Sequence, residues 1–104
     1  MHTNSLIELN RSAYQNNIDF LKKTFGKKVL VSSVVKGNAY GHGVQEFVSM
    51  AFQCGVTHFS VFDVQEAKVV KNTLKDKTTI MVMGLVQDED MEWVIQNDIE
   101  FFVF

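Results

Sequence analysis

A chain of 104 residues, 46% hydrophobic and 21% charged, holds one domain at most and is long enough to build a real core. Its net charge of −2, with the basic residues scattered, gives no ground for nucleic acid or an anionic membrane as a partner. The single cysteine, Cys54, excludes an internal disulfide, and no apolar run approaches the ~18 residues of a membrane span.

Met1-His2-Thr3-Asn4 lacks the basic-then-apolar order of a signal peptide, so a cytoplasmic protein is expected. Ile7 and Leu9 flank Glu8 in a short alternating piece that reads as a strand stub. Asn10 is placed to cap a helix over about residues 11–25, with Tyr14, Ile18, Leu21 and Phe25 on one face and Gly26 as its stop. Lys22-Lys23 and Lys27-Lys28 cluster at that helix end, where solvated lysines complementing the dipole are expected.

The first strong strand is 29–35, Val29-Leu30-Val31-Ser32-Ser33-Val34-Val35, apolar enough for a parallel strand covered on both faces. A loop over 37–43 leads into a helix over about 44–54, with Val44, Phe47, Val48 and Ala51 on one face and Gly55 at its end. Cys54 lies at helical spacing from Phe47 and Ala51 and reads as a buried thiol rather than a nucleophile. Residues 58–62 form the second strand. Asp63 with Glu66 makes a capping box for a helix running to about Leu74. Residues 79–83 form a third strand closed by Gly84. Asp88 is placed to cap a helix carrying Met91, Val94 and Ile95, and 100–104 is a fourth strand.

The class is therefore α/β, with parallel strands alternating with helices through right-handed crossovers. Two architectures satisfy that pattern, a doubly wound open sheet and a segment of a (β/α)8 barrel of the TIM type, and periodicity does not choose between them. A closed barrel takes roughly 250 residues, so residues 1–104 amount to about half of one. An apolar strand at Phe101-Phe102-Val103-Phe104 leaves an edge that invites association. The expectation is the front part of a longer protein, self-associating through bare strand edges.

The chemistry-bearing stretch is Val34-Val35-Lys36-Gly37-Asn38-Ala39-Tyr40-Gly41-His42-Gly43. A strand ending in lysine and turning tightly into a helix presents an amine in a pocket. Schiff-base chemistry needs that amine partly neutral near pH 7, although a lysine in water has a pKa of about 10.4. No Asp or Glu occurs between Lys27 and Val44, which suits an amine kept away from carboxylates. The glycines let the backbone approach a flat ring, and Tyr40 is placed to hydrogen-bond or wall in a cofactor. Spacing alone is equally met by a solvated Lys36 with turn-forming glycines, and by His42 as a loop or capping residue. No metal site is expected.

This block resembles the cofactor-lysine motif of the alanine racemase family, fold-type III enzymes that use pyridoxal 5′-phosphate. The family pattern reads Val-Val-Lys-Ala-Asn-Ala-Tyr-Gly-His-Gly, and here Gly37 replaces the alanine. The likeness extends to Ile7-Glu8-Leu9, to Val61 through Glu66-Ala67, to Met83-Gly84-Leu85 and to Val103-Phe104. Related decarboxylases keep the lysine-alanine-asparagine core, but Tyr40-Gly41-His42-Gly43 is similar to the racemases. The resemblance implies that Lys36 forms the internal aldimine with pyridoxal 5′-phosphate and is one of two acid/base groups, that Tyr40 contacts the cofactor, and that the substrate is alanine. It also implies a homodimer supplying D-alanine for the cell wall, whose second base and remaining cofactor groups lie on parts absent from these residues. Tyr14 and Tyr40 do not match that second base, so the 104 residues alone are expected to be inactive. The alternatives from other classes are a non-catalytic remnant or regulatory domain, and an open-sheet module holding phosphate at the start of the helix after the loop.

Overall fold

The computed structural model describes residues 5–103. Helix α1 (Arg11–Phe25) starts at Asn10, whose Oδ1 accepts the Ala13 N–H at 2.9 Å and so satisfies one open donor of the first turn. Gly26 ends it with a φ of 82°, and its N–H donates to the Lys22 carbonyl. Of the expected stripe, Ile18 is buried and Tyr14 meets the Phe47 ring edge-on at 5.3 Å, whereas Phe25 stands half exposed. Lys22 is more than a solvated charge: its Nζ donates to the Gly55 carbonyl at the end of the neighbouring helix. Residues 5–10 form no strand. Alternation at Ile7 and Leu9 finds no adjacent strand to pair with among the described residues, and Ile7 stays exposed.

Four strands form one sheet in the order β1-β2-β3-β4, every neighbouring pair parallel: β1 (Ser32–Val34), β2 (His58–Val61), β3 (Thr79–Val82) and β4 (Glu100–Phe101). Between β1 and β2 lie a single turn, α2 (Lys36–Tyr40), and α3 (Val44–Gln53). Helix α4 (Val64–Leu74) joins β2 to β3, and a 3₁₀ turn over Asp88–Asp90 with α5 (Met91–Gln96) joins β3 to β4. The strands follow one another without the order reversal of a doubly wound sheet. Phe59, Val61, Ile80 and Val82 point into a core with Val48, Ala51, Val64, Ala67, Val70 and Val94 of the helices. One face of the sheet is thus covered by helices, as in a barrel wall.

Strand β1 is shorter than the apolar run suggested. Its partner begins at His58, opposite Ser32, so residues 29–31 have no ladder and Leu30 is 65% exposed. Strand β4 ends at Phe101; Phe102 and Val103 are exposed, and Phe104 lies outside the described residues, as does the reading of Met1 to Asn4. Asp88 sits inside the 3₁₀ turn and caps nothing, and Ile95 faces outward while Val94 is buried. Cys54 is buried at the end of α3, as expected of a structural thiol.

Candidate active site

Lys36 follows β1 directly, at the carboxyl end of the sheet, where barrel enzymes assemble their sites. Val35, 1% exposed, anchors the strand end through its N–H to the Ser60 carbonyl. Lys36 itself is exposed and, among the described residues, pairs with no carboxylate. The expected loop after it is a turn wound in the left-handed sense. Gly37, Asn38 and Ala39 have φ between 55° and 63° with ψ near 45°, and Tyr40 has a φ of 56°. Runs of non-glycine residues in this region are rare because each crowds its Cβ against the backbone, at roughly 1–2 kcal/mol per residue.

Named contacts offset that strain. The Ala39 N–H donates to the Val35 carbonyl, Gly41 N–H to Gly37, and Gly43 N–H to Asn38. Asn38 Oδ1 accepts the Val44 N–H at 2.8 Å, so the turn also caps the first open donor of α3. The Ala39 carbonyl accepts both the His42 N–H and His42 Nδ1 at 2.8 Å, which places the ring proton on Nδ1. His42 is therefore the loop-holding residue that spacing alone allowed. Tyr40 projects from the turn, 63% exposed.

A carboxylate does reach this turn, from α4 rather than from nearby sequence. Glu66 Oε2 accepts the Gly37 N–H at 2.7 Å, and Oε1 accepts the Phe62 N–H at 2.7 Å. The expected capping box is half formed: Asp63 Oδ1 accepts the Glu66 N–H, but Glu66 does not return to Asp63. A cleft of about 240 Å³ lined by Val35, Asn38, Val44, Gln65, Glu66 and Val69 lies behind the turn.

On the sheet face that no helix covers among the described residues, register sets Ser32 beside His58, and aligns Val34, Ser60, Met81 and Glu100 in one row. Here a polar chain crosses the sheet that the sequence reading missed. His58 Nε2 lies 2.6 Å from Glu100 Oε1, and Nδ1 lies 2.6 Å from Ser32 Oγ, which is 2.6 Å from Ser60 Oγ. An ionised carboxylate only accepts, so Nε2–H donates to Glu100; in the neutral ring Nδ1 accepts the Ser32 O–H. At the rim above, Gly84 N–H donates to the Phe62 carbonyl, and a Cβ on Gly84 would stand 2.6 Å from that oxygen. Among the described residues no group of His, Cys, Asp and Glu is arranged to hold a metal.

Tyr14, the other tyrosine, lies in the helix layer with its O–H 3.4 Å from Ser33 Oγ. Burial raises its pKa above 10.0 despite that hydrogen bond. It stands with Ser33 on the side opposite the Ser32–His58 chain.

Sequential parallel strands with helices on one face define a portion of a (β/α)8-type barrel wall, with the exposed Lys36 just beyond its first strand. The N-terminal domain model of alanine racemase matches residues 9–104, and the chain belongs to that family. The alanine racemase of Listeria innocua is 33% identical over 103 residues, covering 99% of this chain and 28% of its own length. The chain thus spans about a quarter of the length of the curated relatives it matches. Among solved structures, alanine racemase from Bacillus anthracis with bound L-Ala-P is 31% identical with a TM-score of 0.80, over 90% of this chain and 24% of that one. Alanine racemase from Bartonella henselae, with covalently bound pyridoxal phosphate, is 27% identical with a TM-score of 0.78, over 88% and 25%. A histidine racemase from Leuconostoc mesenteroides is 26% identical with a TM-score of 0.76, over 86% and 23%.

Proposed function

We propose that residues 1–104 are the lysine-bearing barrel portion of a pyridoxal 5′-phosphate-dependent amino-acid racemase acting on alanine. The observation that carries this reading is Lys36 at the carboxyl end of β1, unpaired with any carboxylate among the described residues and followed by a braced left-handed turn. The donor set fits the cofactor: a primary amine for its aldehyde, an exposed phenol at Tyr40, and a backbone with little side-chain bulk at Gly37. When bound, pyridoxal 5′-phosphate supplies an electron sink for the negative charge left when a substrate α-proton departs.

Lys36 holds the cofactor through its Nζ and then moves a proton at the substrate α-carbon on one face. Tyr40 orients the cofactor through its hydroxyl. Racemisation needs acid/base groups on both faces of a planar carbon, and neither Tyr14 nor Tyr40 supplies the second. These residues alone therefore do not racemise alanine. The complete enzyme is a cytoplasmic homodimer that supplies D-alanine to the cell wall; here the bare edges of β1 and β4 promote self-association. Two observations weigh against the phosphate-module alternative. The Val44 N–H at the start of α3 is taken by Asn38, and Glu46 lies in that first turn.

An absorbance titration with pyridoxal 5′-phosphate tests the reading. Saturable binding of one equivalent, abolished in Lys36→Ala, is expected. Tyr40→Phe weakens it about fivefold, the worth of one ordinary hydrogen bond. Unchanged binding in Lys36→Ala would overturn the assignment.

A further inference from the structure

We propose that Glu66 is a positioning residue for Lys36, fixing the peptide that follows the lysine. The proposal rests on the reading of Lys36 as the cofactor lysine. Glu66 uses each carboxylate oxygen on a different backbone donor, Gly37 N–H and Phe62 N–H, both at 2.7 Å. One donor lies just past β1 and the other just past β2, so the side chain ties the two strand ends together across the site. Its position is set by α4 itself, in whose first turn it lies; the Asp63 side chain caps that helix through the Glu66 N–H and touches neither Gly37 nor Phe62.

The peptide between Lys36 and Gly37 needs such a hold. Gly37 has no side chain, and a Cβ there would meet nothing within 4 Å, so packing does not restrain this residue. Hydrogen bonds from neutral N–H groups to a carboxylate are among the stronger ones, and this one sets the plane from which the Lys36 side chain departs. Glutamine, of the same shape, cannot replace it: it offers one accepting oxygen, and its NH₂ confronts the second N–H donor to donor.

The test combines amide hydrogen exchange by NMR with borohydride trapping of pyridoxal 5′-phosphate and peptide mass spectrometry, on the wild-type chain, Glu66→Gln and Asp63→Ala. In the wild type, Gly37 and Phe62 amides exchange more slowly than in unstructured peptide; free exchange at Gly37 would overturn the clamp without any variant. In Glu66→Gln, trapping at Lys36 relative to the other lysines falls about tenfold, the rate equivalent of one lost charge-assisted hydrogen bond. Asp63→Ala removes the helix cap but leaves the Gly37 contact, so its Tm falls while Lys36 trapping stays within about twofold of wild type. Wild-type trapping in Glu66→Gln, or an equal loss in Asp63→Ala, would reduce Glu66 to a structural cap and contradict the proposal. Absence of Lys36 selectivity in the wild type overturns the cofactor-lysine reading itself, and is told apart because failure of the clamp leaves that selectivity intact.

Discussion

The two faces of the sheet are built by different chemistry. On the helix-covered face Phe59, Val61, Ile80 and Val82 are at most 2% exposed, and cohesion is apolar burial. On the other face Ser32, Ser60, His58 and Glu100 are joined by directional hydrogen bonds, while Val34, Phe62 and Phe102 stand partly exposed around them. Burial is indifferent to direction, so the first face serves stability. Hydrogen bonds fix relative positions, so the second face holds its strands in register.

That contrast is broken most forcefully from the covered side. Phe59→Ala leaves a cavity against α3 and α4 and costs about 3–5 kcal/mol in urea unfolding, whereas Phe102→Ala, at a half-exposed rim, costs less than about 1 kcal/mol. Equal losses would mean the faces do not differ. Next in size, His58→Ala removes the centre of the polar chain and costs about 1–3 kcal/mol, because Ser32 loses a partner in a half-buried setting. Ser60→Ala, at the end of the chain, costs about 0.5–1.5 kcal/mol; a larger loss than at His58 would place the centre of the network elsewhere.

The smallest effect is a pH dependence on the covered face. Burial raises the Tyr14 pKa in the folded state, so the phenol keeps its proton longer there than in the unfolded chain. Its contribution is complete below pH 10.0 and is lost as pH rises through the folded value. Stability measured by denaturant above that pH should decline, and Tyr14→Phe should flatten the slope; an unchanged slope would assign it to the lysines.

What could be read in advance follows the same division. Local signals were sufficient for α1, where Asn10, a four-residue apolar spacing and Gly26 agree, and for the alternation that makes the sheet parallel. The extent of β1 was not legible, because Val29 and Leu30 are as β-prone as Val34 and only the start of β2 decides where pairing begins. The left-handed turn escaped because Ala39 and Tyr40 carry no sequence sign of positive φ; the contacts that hold them come from Val35, His42 and Asn38 together. Glu66 was legible as a helix-start residue but not as a partner of Gly37, 29 positions away. The bond from His58 to Glu100 spans 42 positions, and no local pattern marks it.

The most direct test of the central claim, that this strand end and turn present a reactive lysine to pyridoxal 5′-phosphate, is reductive trapping on the unaltered chain with a full peptide map. The account predicts stable mass on Lys36 at substoichiometric cofactor, with Lys22, Lys23, Lys27 and Lys28 unlabelled. Label spread evenly over those surface lysines would contradict it.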